Sequence, residues 1–310
     1  MNTGTLVQVV SVSLGSSSRD KAVEIDFAGY RARIRRVGCD GDKRSMVRML
    51  KECDADRAVD SVALGGLDLL WEVDGKRYVV RDAQKMAEVV RRKPVVCGFG
   101  VKVTLELAST ESLFAQGHLR GEQRVLFLSL AERYALGRLF WDRGCPMIFG
   151  DLPFTLGLPV ALRQLDTARR LARLVLPLAR LLPIQLFYPQ GPEQEVRTPR
   201  FAKHFAWADV IAGDFLLMKK FAPDDLRGKV LLTNTTTAED RRRLAAAGLH
   251  KLITLTPRIE GRTFGANVFE GLLAAVLARE GREPTPENYA SLLDRQPVAP
   301  GIEVLNPERR

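Results

Sequence analysis

The sequence predicts an α/β fold in which a Rossmann-like parallel sheet is preceded by a smaller α/β domain with β-hairpins. Two short apolar runs at 125–130 and 147–149 flank a helical pattern that ends at Gly144, which is typical of a buried β-α-β unit. Similar apolar runs later in the chain extend the predicted parallel sheet to about five strands. A chain of 310 residues is also long for one core, so we expect two domains.

The first predicted domain covers residues 1–103, and a helical connection covers 104–119. Asp74-Gly75 favours a tight hairpin turn, Asp82 is expected to cap a helix, and Pro94 follows the end of that helix. The predicted elements are strands at 6–14, 58–64 and 95–97, hairpins at 21–37 and 70–80, and helices at 43–52 and 83–92.

The second predicted domain covers residues 120–310 and contains the parallel sheet together with a C-terminal helix. Most of its predicted strands are short and apolar, as strands covered by helices on both faces are. The predicted elements are strands at 125–130, 147–149, 208–212, 229–233 and 252–255, a helix that ends before Gly144, a helix at 238–247 and a terminal helix at 268–279.

The formal net charge of +10 indicates which kinds of binding partner to expect. Much of the positive charge is arginine dispersed on predicted helices, without an aromatic-interleaved basic patch or a recognised nucleic-acid motif. We therefore expect no nucleic-acid partner. The same charge favours an anionic substrate or cofactor.

Cysteine usage and hydropathy indicate a cytoplasmic protein. The four cysteines are scattered and lack a C-x-x-C spacing, which suits reduced thiols, and the three histidines share no metal-site spacing. The first ten residues lack the features of a signal peptide, and no stretch approaches the roughly 18 apolar residues of a membrane span. We expect no metal centre, and the sequence leaves the oligomeric state open.

The β-α-β unit at 125–151 contains candidate residues for binding NAD or NADP. In such a unit an acid after the second strand binds the ribose hydroxyls, and Asp151 has this position. The segment that should be a glycine-rich phosphate loop contains one glycine, Gly137, and places Glu132 and Arg133 at the start of the helix. Arg133 could pair with the pyrophosphate or block the site, and the sequence does not decide between the two.

Two further cofactor candidates follow later strands of the same sheet. Asp214 lies just beyond a strand, at the edge where open α/β sheets bind ligands. Asn234 precedes Thr235, Thr236 and Thr237 at a predicted helix start, which suits either an anion or an ordinary helix cap. An ordinary turn residue is the alternative interpretation of Asp151, whereas a loop acid in the position of Asp214 is often functional.

Lys102 and Asp68 are the candidate catalytic residues of the first domain. Lys102 follows the glycine-rich segment Cys97-Gly-Phe-Gly-Val, from which its side chain could reach an interdomain cleft and donate a proton to a carbonyl oxygen. Asp68 follows Gly65-Gly66 at a strand end, where it could orient a substrate. A solvated loop lysine and a turn aspartate are the alternatives.

Arg258, Arg262 and Asn267 are the candidate substrate-binding residues. They lie in the polar loop TPRIEGRTFGANV, after the last predicted parallel strand. Two arginines near a strand end suit the binding of a carboxylate or a phosphate. Solvated loop charges are the alternative.

The segment 162–182 alternates leucine and arginine at helical spacing. Its apolar face could lie at an anionic membrane surface or cover a lipophilic substrate. A crossover helix that packs on the sheet and is kinked at Pro177 is the preferred interpretation.

Motifs along nearly the whole chain resemble one bacterial family, which carries the label quinate 5-dehydrogenase. They are SLGSSSRDK, LGGLD, FGDLPFTLGLP, WADVIAGDF and TPRIEGRTFGANV. The plan is similar to that of the shikimate/quinate dehydrogenase and glutamyl-tRNA reductase type of two-domain oxidoreductase. The resemblance implies NAD(P)-dependent oxidation or reduction of a small anionic hydroxy or carbonyl compound, with Lys102 in a position comparable to that of the family's catalytic lysine.

Two other functions stay open. The segment Ser13-Leu-Gly-Ser-Ser-Ser18 after the first strand resembles the phosphate-holding turn of actin-like and sugar-kinase phosphotransferases. A degenerate Rossmann fold could also serve as a ligand-binding protein without catalytic activity.

Overall fold

The computed structural model describes residues 6–187, 196–259 and 262–307. These residues form two sheets of mainly parallel strands, with helices packed against them. The predicted fold class, a Rossmann-like parallel sheet preceded by a smaller α/β domain with hairpins, is confirmed.

The first sheet lies within the first hundred residues. The strands of this region are β1 (Leu6–Ser13), β2 (Lys21–Phe27), β3 (Tyr30–Gly38), β4 (Ser61–Gly65), β5 (Leu70–Val73), β6 (Lys76–Val79) and β7 (Val95–Val96). The order in the sheet is β2-β3-β1-β4-β7, and β2 alone in this sheet runs antiparallel to its neighbour. β5 and β6 form a separate hairpin, as predicted.

Four helices accompany this sheet: α1 (Lys43–Ala55), α2 (Arg81–Ala87), α3 (Phe99–Val103) and α4 (Leu105–Ala115). The prediction that Asp82 caps a helix is wrong, because α2 begins one residue earlier and Asp82 lies inside it. The Asp82 carboxylate instead pairs with Lys43 Nζ at 2.7 Å and accepts a hydrogen bond from the Ile184 amide. This long-range pairing has no local sequence signal.

The second sheet follows the Rossmann pattern. The strands of this region are β8 (Val125–Phe127), β9 (Met147–Phe149), β10 (Val210–Ala212), β11 (Val230–Thr233), β12 (Lys251–Thr254), β13 (Arg258–Ile259), β14 (Arg262–Thr263) and β15 (Gly301–Val304). The sheet order is β9-β8-β10-β11-β12-β15, with five parallel strands and β15 antiparallel at the edge. The chain turns from β9 on one side of β8 to β10 on the other, so a topological switch point lies at the carboxyl end of β8.

The remaining helices are α5 (Tyr134–Asp142), α6 (Leu165–Ala179), α7 (Ala202–Trp207), α8 (Phe215–Phe221), α9 (Ala238–Ala246), α10 (Ala266–Arg279) and α11 (Pro286–Arg295). The predicted helix at 268–279 is therefore not the terminal element, since α11 and β15 follow it. β15 then adds an antiparallel edge strand that the sequence analysis did not predict.

Helix α10 returns to the first sheet rather than covering the second. Its apolar residues share a core cluster with β1, β2, β3 and β4. Gly271 allows this close packing, because a Cβ there would lie 2.8 Å from Val9, and Ser61 Oγ donates a hydrogen bond to the Gly271 carbonyl at 2.7 Å. The C-terminal part of the chain thus holds the two sheets together. The predicted domain limits at 103 and 120 stay predictions.

Helix α6 packs one side into the protein, as the preferred interpretation of 162–182 expects. Leu165, Ala168, Leu176 and Ala179 are buried, and Pro177 lies inside the helix. The segment after α6 is tied to the first domain, where the Arg81 amide donates a hydrogen bond to the Arg180 carbonyl. Within the described ranges, each helix is too short or too polar to cross a membrane.

Candidate functional site

A polar cleft of about 180 Å³ lies where the carboxyl ends of the two sheets meet. The first sheet contributes the residues after β1 and β4, and the second contributes those after β8, β10 and β11. The loop before α10 closes one side. The side chains of most interest in its lining are Asp68, Lys102, Glu132, Arg133, Asp214, Asn234, Thr235, Thr236, Thr237 and Asn267, with Arg19, Lys21 and Arg36 also present.

Two glycines direct Lys102 into this cleft. Gly98 has φ +98°, which starts α3 in the direction of the cleft, and a Cβ at Gly100 would lie 2.3 Å from the Tyr289 ring. The carboxylate of Glu270 on α10 accepts hydrogen bonds from the amides of both glycines, that of Gly100 at 3.0 Å. The segment Cys97-Gly-Phe-Gly-Val-Lys102 is therefore a helix start and not the solvated loop of the alternative interpretation.

Five buried or nearly buried ionic side chains form what we call the ionic cluster: Asp68, Lys102, Glu132 and Arg133 line the cleft, and Glu106 contacts Arg133 without lining it. Lys102 Nζ lies 2.7 Å from Asp68 Oδ1 and 3.1 Å from Glu132 Oε1. Arg133 Nε lies 3.0 Å from Glu106 Oε2, and its Nη1 contacts the same Glu132 oxygen. Glu132 thus bridges the two cations.

Two groups of the ionic cluster, Glu132 and Lys102, stay charged near neutral pH. Burial alone would raise the pKa of Glu132, but the charges of Arg133 and Lys102 outweigh it and hold that pKa at about 2. Burial would lower the pKa of Lys102, but Asp68 and Glu132 raise it above its ordinary value. Lys102 is therefore a stable ammonium and hydrogen-bond donor near neutral pH, and it does not serve as a free base.

Asp214 also lines the cleft, but its carboxyl group has a higher pKa than that of Glu132. Its Oδ1 caps α8 by accepting a hydrogen bond from the Leu216 amide at 2.8 Å. Burial and then the negative charge of Glu132 raise its pKa to about 6, with Arg133 opposing them. A carboxyl group that titrates near neutrality beside a cleft suits proton transfer.

Asn234 reaches the cleft at the end of β11. Its Oδ1 accepts a hydrogen bond from the Thr235 amide at 2.7 Å. The cap of α9 is Thr237, which forms a capping box with Asp240. Capping therefore explains Thr237 but leaves Asn234 as a polar group at the cleft wall.

Asp151 and Gly137 lie outside the cleft lining. The Asp151 carboxylate folds back onto the loop after β8, where it accepts hydrogen bonds from the amides of Leu130 and Ala131, both at 2.9 Å. Gly137 packs inside α5, since a Cβ there would lie 2.5 Å from Leu130 Cδ1. The ribose and phosphate roles expected of these two residues stay predictions.

The three predicted substrate ligands have three different outcomes. Asn267 lines the cleft, and its Nδ2 donates a hydrogen bond to Ser11 Oγ at 3.1 Å. Arg258 is absent from the cleft lining, and its Nη2 pairs with Glu303 Oε2 at 2.5 Å. The side chain of Arg262 lies outside the described part of the structure.

The sequence analysis missed a basic edge of the cleft made by Arg19, Lys21 and Arg36. The interpretation of 21–37 as an isolated hairpin gave these residues no connection to the site. In the structure β3 also pairs in parallel with β1, where Arg36 lies opposite Ser11, two residues before the carboxyl end of β1 at Ser13. The Arg36 guanidinium lies 2.8 Å from Asp20 and donates a hydrogen bond to Ser13 Oγ.

Among the described residues no group of three or more histidine, cysteine or acidic side chains is arranged to hold a metal ion. All four cysteines are free and buried.

Residues 100–305 match the family model of a domain of unknown function, DUF8754, and the chain belongs to this family. Residues 8–97 match a second domain of unknown function, DUF8753. No curated protein matches the chain.

Solved structures give low similarity over most of the chain. One protein, assigned as a malic enzyme (malate oxidoreductase), is 14% identical with a TM-score of 0.33, covering 94% of this chain and 85% of its own. One of the subunits of dipicolinate synthase from Bacillus halodurans is 13% identical with a TM-score of 0.30, covering 90% of this chain and 98% of its own.

Proposed function

We propose that the protein is an oxidoreductase similar to quinate and shikimate dehydrogenases, which acts on a small anionic hydroxy or carbonyl compound in the interdomain cleft with NAD or NADP. The observation that carries this proposal is the contact between Lys102 and Asp68 on the cleft floor, at 2.7 Å. A buried ammonium held by a carboxylate is suited to stabilising negative charge on a substrate oxygen. The motif resemblance supports the same activity.

Lys102 would act as a hydrogen-bond donor to the reacting oxygen. An ammonium has three N–H groups, and Asp68 and Glu132 accept two of them. The third is left for a hydroxyl or carbonyl oxygen in the cleft. Asp68 would orient the ammonium. Asp214 would take up or give back the proton of the substrate hydroxyl, because its pKa of about 6 allows both protonation states near neutral pH.

The anionic group of the substrate would face the basic edge. In this part of the lining three carboxylates, those of Asp68, Glu132 and Asp214, stand beside two cations, so it does not attract an anion. Arg19, Lys21 and Arg36 add positive charge to the lining, where Arg36 also pairs with Asp20. A carboxylate bound there would leave the hydroxyl or carbonyl oxygen of a small compound free to accept a hydrogen bond from Lys102.

The loop between β8 and α5 does not fit the pyrophosphate of a dinucleotide. The amides of Leu130 and Ala131 are occupied by the Asp151 carboxylate, which takes the place that a phosphate would have. Glu132 adds a buried negative charge beside them. We therefore assign no hydride-transfer step to these residues.

This misfit favours a second candidate, a binding protein that holds the same small anion without redox chemistry. Both candidates share the cleft and the basic edge. They differ in whether a reduced nicotinamide binds and turns over.

Titration calorimetry with NADH, NADPH, quinate and shikimate, followed by an assay of nicotinamide absorbance, distinguishes the candidates. Turnover that is lost in Lys102→Met and in the isosteric Asp68→Asn, but kept in the exposed control Lys51→Met, supports the oxidoreductase. Binding of an acid without any nicotinamide binding supports the binding protein. Absence of binding by all four compounds overturns both.

A further inference from the structure

We propose that α6 and the turn after it dock onto an anionic lipid surface. Five exposed leucines, which we call the leucine face, carry this proposal. Their exposed fractions are 73% for Leu174, 69% for Leu178, 49% for Leu181, 45% for Leu182 and 62% for Leu186. Contiguous exposure of large apolar side chains is unusual on a protein surface that contacts only water.

The leucine face is the outer side of a helix whose inner side is packed. Leu176 and Ala179 are buried, whereas Leu174 and Leu178, one helical turn apart, point to solvent. Burial of the inner side explains the fold of α6 but leaves the outer leucines without a structural role. A helix with this pattern is suited to lying in the plane of a membrane interface.

A second apolar segment borders the same region. Leu156, Leu158 and Val160 are about half exposed, and Leu156 shares with Val175 of α6 the lining of an apolar cavity of about 90 Å³. Exposed apolar side chains therefore occur both on α6 and on the segment after β9, and these two segments share the cavity. Two segments, α6 with the turn after it and residues 156–160, could therefore enter a lipid interface.

Charge selects an anionic lipid as the occupant. Residues 156–187 contain five arginines and one acid, Asp166. The guanidinium groups of Arg169 and Arg173 both donate hydrogen bonds to the carboxylate of Asp74, which lies in the turn between β5 and β6. Arg170 is exposed and lies one helical turn before Leu174, so its guanidinium accompanies the leucine face. A basic residue next to inserted leucines is attracted to anionic headgroups.

The same charges disfavour a second copy of this chain as the occupant. Self-association about a two-fold axis places a patch against its own copy. A two-fold contact centred on the leucine face would then bring Arg170 towards its like-charged equivalent. An anionic membrane meets the leucines and the arginines together without such repulsion.

Co-sedimentation with vesicles tests the proposal. Wild-type protein should pellet with vesicles of equal phosphatidylglycerol and phosphatidylcholine, should stay in solution with phosphatidylcholine alone, and should be released by high salt. Leu174→Ser with Leu178→Ser should weaken binding about tenfold or more for each leucine, and Arg170→Gln about fivefold. Circular dichroism should show all variants folded.

The matched control is Ile302→Ser with Val304→Ser, two exposed apolar residues on β15, whose binding should equal that of the wild type. Equal loss of binding in this control, or no binding of the wild type to anionic vesicles, overturns the proposal. Sedimentation velocity without lipid gives the remaining outcome: a dimer that the leucine substitutions dissociate identifies a second copy and also overturns it.

Discussion

Two buried glutamates that contact residues of the Gly98–Lys102 segment have the same side chain but opposite pKa shifts. Glu132, in the ionic cluster, contacts Lys102 and Arg133, and their charges hold its pKa at about 2 against burial. Glu270, on α10, accepts hydrogen bonds from the amides of Gly98 and Gly100. Burial raises its pKa to about 7, and these amides lower it in part.

The difference shows which interactions offset the free-energy cost of burying a carboxylate. Full positive charges within hydrogen-bond distance offset the loss of water completely, whereas two amide dipoles offset it only in part. Glu132 should therefore stay charged through neutral pH, while Glu270 titrates within that range. The bridge that Glu132 makes between Lys102 and Arg133 is thus independent of pH there, whereas the helix that presents Lys102 rests on a group that responds to pH.

Removing the central cation should have the largest effect on stability. Arg133→Met leaves Glu106 and Glu132 buried without their shared partner, so the free energy of unfolding should fall by about 3–5 kcal/mol. Urea denaturation measures this fall. Arg138→Met is the control, because Arg138 is exposed and its pairs with Asp142 and Asp74 should contribute less than about 1 kcal/mol. Equal losses in the two variants would show that cations do not stabilise the ionic cluster.

Glu270 should determine how stability depends on pH. A carboxyl whose pKa is raised from 4.5 to about 7 on folding binds more protons in the folded state, so its contribution to stability is lost as pH rises through about 7. The loss amounts to about 3 kcal/mol between pH 4 and 8.

The Glu270→Gln variant should have a flatter profile of unfolding free energy against pH, whatever its absolute stability. Asp214, with a pKa of about 6, leaves a smaller residual slope of the same sign. Glu287→Gln, at an exposed position of α11, should keep the wild-type slope. A Glu270→Gln profile as steep as that of the wild type would rule out Glu270 as the titrating group.

Asp151 is a third buried carboxylate, and its partners are two loop amides and the Ser129 hydroxyl. Burial raises its pKa, and the amides of Ala131 and Leu130 oppose the shift. Asp151→Ala should cost about 2 kcal/mol because two loop amides lose their acceptor, and Asp151→Asn should cost less. Thermal unfolding compares both with Asp166→Ala, an exposed control. A neutral Asp151→Ala would indicate that water replaces the carboxylate.

Local sequence patterns predicted the helices and strands, whereas contacts between residues far apart in the sequence determine the geometry of the site. The β8-α5-β9 unit and both hairpins follow from apolar runs and turn residues near in sequence. The return of Asp151 onto Leu130 and Ala131 depends on the path of the loop, which no spacing indicates. One signal could have been used: α10 is apolar on nearly all sides, which predicts a helix buried between layers rather than one at a surface.

Arg258 gives the smallest expected effect and checks the limits of the cleft. Its guanidinium pairs with Glu303 on β15, a partner 45 residues away, at a half-exposed position. Arg258→Ala should therefore lower the unfolding free energy by less than about 1 kcal/mol. It should also leave calorimetric binding of a small acid unchanged, whereas Arg36→Ala, at the basic edge, should weaken binding about tenfold or more. The opposite ranking would move the substrate carboxylate from the basic edge to the β13-β14 hairpin, as the sequence alone had suggested.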